Sequence, residues 1–94
     1  MEKDFRKKLE EYRKEIDRID KAIVNYLNKR AKVVSEIKKM KEKNGVPLYN
    51  AKREEKLMDN IIKYNKGPLY NDNIIQIFEC ILRNVQILEK DESL

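Results

Sequence analysis

A chain of 94 residues in which 41% of side chains are charged and 40% hydrophobic, with two Gly and two Pro, has too few turn-formers for a β-rich or loop-rich fold. It contains no His and a single Cys, Cys80, which leaves almost no ligands for zinc or haem and no internal disulfide, and no apolar run approaches membrane-spanning length. The formal charge of +5 is uneven: residues 1–20 carry seven acids and seven bases, residues 21–45 eight bases and two acids. Cations near a helix C-terminus complement its dipole, which is the plain reading of that excess; the sharper one is an electropositive pocket for a small anion.

The first element is a long helix. No Gly or Pro interrupts residues 4–43, and Phe5, Leu9, Tyr12, Ile16, Ile19, Ile23, Tyr26, Val33, Ile37 and Met40 recur in alternating steps of four and three. Asn44, Gly45 and Pro47 stop it. About 40 residues of helix span roughly 60 Å, whereas a compact chain of this size has a radius of gyration of about 12 Å. The chain cannot bury such a stripe alone, so a homodimer pairing two long helices is expected. One position breaks the pattern: the heptad calls for a hydrophobe between Tyr26 and Val33, and Arg30 stands there. A guanidinium on such a seam requires an anionic partner, either a protein carboxylate (Glu54, or Asp17 of a second copy) or a ligand.

Two further helices follow. Asn50 suits the N-cap of a helix over about 50–65, with Leu57, Met58, Ile61 and Ile62 on its apolar face, ended by Asn65, Lys66, Gly67 and Pro68. A third is expected over about 71–90, carrying Ile74, Ile77, Phe78, Ile81, Val85 and Leu88 at three-four spacing. Cys80 reads as a small hydrophobe beside that core face. Arg53 falls in the first turn of the second helix, where the dipole disfavours a cation unless an anion binds. The whole, residues 1–94, reads as a single all-α domain. Its Lys-rich, acidic beginning lacks the apolar core of a signal peptide, so a cytoplasmic protein is expected.

Some of the cations can meet one ligand. Arg30 and Lys41, eleven residues apart, project from one helix face about 16 Å apart. Arg13 lies 28 residues before Lys41, about 42 Å away, and can join them only from the antiparallel helix of a second protomer.

Four segments together, RKEIDRID at 13–20, LNKR at 27–30, IKKMK at 37–41 and VPLYNAKRE at 46–54, resemble the all-helical (AroQ-type) chorismate mutases, and the likeness extends over about residues 6–90. It implies a three-helix protomer intertwined into a homodimer with two shared sites. It further implies that Arg13 of one protomer and Arg30 of the other grip the two carboxylates of chorismate. Lys41 would donate to the ether oxygen and a carboxylate, Arg53 would line the site, and Glu54 would accept from the ring hydroxyl. Three positions depart from the family pattern: Asn50 where Asp is usual near the hydroxyl, Val85 where a small polar residue is common, and Glu89 where many members have Gln. The fungal branch also has Glu at the position of Glu89, and there a protonated carboxyl would donate to the ether oxygen. Lys41, Glu89 and Arg30 are thus the expected catalytic residues.

The rearrangement of chorismate to prephenate is concerted and asks for no nucleophile, metal, cofactor or general base. It asks for a compact reactive conformer and for donors aimed at the ether oxygen as negative charge grows there. Three alternatives stand beside this reading: an isochorismate pyruvate-lyase, a module that senses chorismate for another enzyme, and a non-enzymatic basic helical dimer binding nucleic acid or protein. Nucleic-acid binding favours an exposed basic stripe, and here the telling Arg30 lies on the apolar seam. The expected partners are therefore chorismate and a second copy of the chain, with no nucleic acid and no membrane.

Overall fold

The computed structural model describes the backbone of residues 1–92 and the side chains of residues 1–85. Three helices follow one another: α1 (Glu2–Lys43), α2 (Ala51–Tyr64) and α3 (Asn71–Glu92). No described residue is in a strand, and among the described residues no helix is long and apolar enough to cross a membrane. The chain divides into two units, Met1–Gly45 and Val46–Leu94.

The first unit is α1, 42 residues or about 63 Å of helix. Glu2 and Asp4 sit at its positive end and Lys41 and Lys43 at its negative end, the placement the helix dipole favours. Its stop is built by Asn44 and Gly45. The Asn44 side-chain amide donates to the Met40 carbonyl at 2.7 Å, and the Gly45 backbone N–H donates to the Glu42 carbonyl at 3.3 Å. Gly45 has φ +66°, a left-handed conformation that a Cβ would strain. No residue of α1 is buried. Along its apolar stripe Ile16, Ile19 and Ile23 are 54%, 52% and 51% exposed, so that stretch of the hydrophobic face is only half covered.

In the second unit α2 and α3 pack together as a helical hairpin. Ile61 is its buried centre at 4% exposure, and Leu57, Met58, Ile74, Phe78, Ile81 and Leu82 are half-buried. Asn65 ends α2 and organises the turn. Its side-chain N–H group donates to the Leu69 carbonyl and to Asn71 Oδ1, both at 2.8 Å, while its Oδ1 accepts from the Gly67 N–H at 3.0 Å. Gly67, at φ +78°, supplies the left-handed step of that turn. At the start of α3 the Asn73 side chain reaches back to accept from the Tyr70 N–H at 3.3 Å, one half of a capping box.

Helix positions match the sequence expectation, with shifts of one or two residues at the ends, where fraying and cap geometry govern. α1 begins at Glu2 and α3 continues to Glu92. Three side chains differ from the expected core. Ile62 and Ile77 are exposed, at 37% and 47%. Cys80 is exposed as well, because it lies two residues beyond Phe78, about 200° around the helix from that half-buried ring. Leu88 lies outside the residues whose side chains are described.

Candidate active site

Each unit carries part of the expected residue set. On α1, Arg13 is exposed while Arg30 and Lys41 are half-buried. Arg30 sits on a stripe whose other members are apolar, and within its own unit no carboxylate pairs with it. Arg13 is separated from Lys41 by 28 residues of uninterrupted helix, so the two do not converge within this unit.

The second unit gathers Asn50, Arg53 and Glu54 at the beginning of α2. Asn50 adopts extended backbone geometry, φ −140° and ψ 103°, and caps the helix: its Oδ1 accepts from the Arg53 N–H at 3.2 Å and its carbonyl accepts from the Glu54 N–H at 3.2 Å. The first bond satisfies a donor that a helix start otherwise leaves open, and the second is the first backbone bond of the helix itself. The cap therefore orients the turn bearing Arg53, which is exposed, and Glu54, which is half-buried. Glu54 lines a groove of about 480 Å³ between α2 and α3, together with Glu55, Met58, Glu79 and Arg83. Val85 is half-buried on α3 and is not among the residues lining that groove. Glu89 falls on the backbone of α3, with its side chain outside the described residues.

Glu55, Glu79 and Arg83 were not singled out from sequence. Glu79 and Arg83 are four apart and so share a helix face, but only the packing of α2 on α3 shows that this face meets Glu54. The groove can hold a polar group beside a carboxylate and a guanidinium. Arg30 and Lys41 offer cationic donors for an anion. Among the described residues no group of three His, Cys, Asp or Glu side chains could hold a metal ion.

The chain is similar to known proteins over most of its length. The family model for chorismate mutase type II matches residues 12–90, which take in Arg13, Arg30, Lys41, Asn50, Arg53, Glu54, Val85 and Glu89. A chorismate mutase of Methanocaldococcus jannaschii is 32% identical over 84 residues, covering 88% of this chain and 85% of that protein. A bifunctional chorismate mutase/prephenate dehydratase of Aquifex aeolicus is 36% identical over 86 residues, and there the chain spans only 24% of the relative's length. Among solved structures, chorismate mutase (form II) from Thermus thermophilus superposes with a TM-score of 0.83 at 31% identity, covering 88% of this chain and 94% of that one. The all-helical architecture, the match over residues 12–90 and the near full-length likeness to the Thermus chain carry one conclusion: this chain belongs to the chorismate mutase type II family.

Proposed function

We propose that this chain is a chorismate mutase, an isomerase that converts chorismate to prephenate for phenylalanine and tyrosine biosynthesis in the cytoplasm, and that its two units serve one catalytic domain. The observation that carries the reading is Arg30, a half-buried cation on an apolar helix stripe with no carboxylate partner in its unit, inside the segment matched by the family model. An uncompensated guanidinium there costs stability, a cost that a site for an anionic ligand explains.

In the proposed site Arg30 of one protomer and Arg13 of the other hold the two carboxylates, using the bidentate geometry that guanidinium offers and ammonium lacks. Lys41 donates to the ether oxygen, and protonated Glu89 adds a second donor there. Arg53 and Val85 line the pocket, and Glu54 accepts from the ring hydroxyl. As the C–O bond breaks, the new C–C bond forms within the same molecule, so no atom is gained or lost. The donors stabilise charge growing on oxygen, and the clamp keeps a flexible dianion in its compact conformer. The shared site requires a homodimer. Its support is the apolar face of α1, about half exposed at Ile16, Ile19 and Ile23 on a helix about 63 Å long.

The deciding experiment follows the absorbance of chorismate and identifies the product. Prephenate supports the proposal. Salicylate with pyruvate, formed from isochorismate, would instead reveal a lyase, and tight binding of chorismate without turnover would reveal a sensing module.

A further inference from the structure

Asn50 stands at the junction between recognition and folding, and its acceptor oxygen is spent on folding. Its acceptor oxygen is committed to the Arg53 N–H at 3.2 Å, and its carbonyl to the Glu54 N–H at 3.2 Å. A backbone at φ −140° and ψ 103° is the extended geometry of an N-cap, so side chain and main chain together close the first turn of α2. Arg53 and Glu54 are the two residues whose amides it holds, and Glu54 lines the groove of about 480 Å³.

We infer that Asn50 is a positioning residue: it acts on the reaction through the cap that fixes Arg53 and Glu54, and not through contact of its own amide with the ligand. The inference rests on the proposed mutase activity. Physically it follows from range. A helix start without its cap frays over the first turn, and that turn carries both side chains, so their placement depends on the side-chain bond from Asn50 to the Arg53 N–H. Misplacement of a polar group by a fraction of an ångström to one ångström is sufficient to lower turnover.

Two variants separate a cap from a ligand contact. Asn50→Ala removes the capping oxygen. Asn50→Ser restores a capping oxygen on a side chain too short to reproduce the reach of the amide. Amide hydrogen exchange at Arg53, measured by NMR on the intact protein, should speed up about fivefold or more in Asn50→Ala and return close to wild type in Asn50→Ser. Prephenate formation should follow the same order: kcat falls about fivefold or more in the Ala variant, with most of the loss recovered by Ser. A Ser variant with Arg53 protected but turnover as poor as Ala would overturn the inference, because the amide itself would then touch the ligand. Unchanged Arg53 exchange in Asn50→Ala would overturn it as well. If the wild type turned over no chorismate, the proposed function would fail on that result alone, while Arg53 exchange in the three proteins would still decide whether Asn50 holds the turn.

Discussion

Arg30 is one guanidinium on a stripe of isoleucines, valines and tyrosines, and the reason it stands there is open to direct measurement. A structural ion pair would leave a stranded carboxylate when Arg30 is replaced by Leu, at a cost of about 3 kcal/mol or more. A cation that waits for substrate carries no such penalty. We expect Arg30→Leu to melt at the same temperature as wild type or higher, while mutase activity falls by on the order of a hundredfold or more; calorimetry beside the chorismate assay checks both halves. Glu89 poses a different question, since a carboxyl donates a hydrogen bond only while protonated and a Gln amide donates at any ordinary pH. Turnover should therefore be highest in mildly acidic solution and decline as pH rises and the carboxyl ionises. Glu89→Gln should hold its rate toward alkaline pH, and an identical pH profile in the two proteins would remove Glu89 from the ether oxygen. Each residue was legible in sequence for a reason: Arg30 violates a period, and Glu89 departs from a family pattern. Asn50 was legible too, as a polar cap before an apolar run, but its two bonds to the turn carrying Arg53 and Glu54 are a fact of backbone geometry.

The helices themselves were readable because their ends are marked by residues with distinct backbone preferences. Asn44 and Gly45 close α1, Asn50 opens α2, and the stretch from Asn65 to Pro68 separates α2 from α3. What could not be read is how α2 and α3 rotate against each other. That rotation buries Ile61, leaves Ile62 and Ile77 exposed, turns Cys80 outward and lines the groove with Glu55, Glu79 and Arg83. Helical spacing says which residues share a face, but several apolar faces of α3 compete for the same neighbour. Nor does the sequence announce that Asn65 bonds across the turn to Leu69 and Asn71. Two outcomes measure this hairpin. Ile61→Ala should destabilise by about 2–5 kcal/mol, since a buried side chain is deleted where little else is fully enclosed. Gly67→Ala should cost about 1 kcal/mol from its positive φ alone, because an added Cβ meets nothing within 4 Å. Urea unfolding of both variants, with the hairpin's stability read from the midpoint and slope, checks these magnitudes.

At the scale of the whole molecule the proposed site is divided between copies, and division has a signature. Arg13→Ala and Arg30→Ala should each be nearly inactive. Mixed in equal amounts under conditions that exchange subunits, they should recover about a quarter of wild-type activity, since half the dimers are mixed and one site in each contains neither lesion. No recovery despite proven exchange would overturn the shared site. The length of α1 was plain from sequence, and so was its stripe; that Ile16, Ile19 and Ile23 remain about half exposed is what the structure adds. The consequence reaches beyond the site. In the proposed dimer, where α1 completes its burial only against a neighbour, folding and association become one equilibrium: the melting temperature should climb with concentration, and dilution should silence catalysis and unravel the fold at the same point.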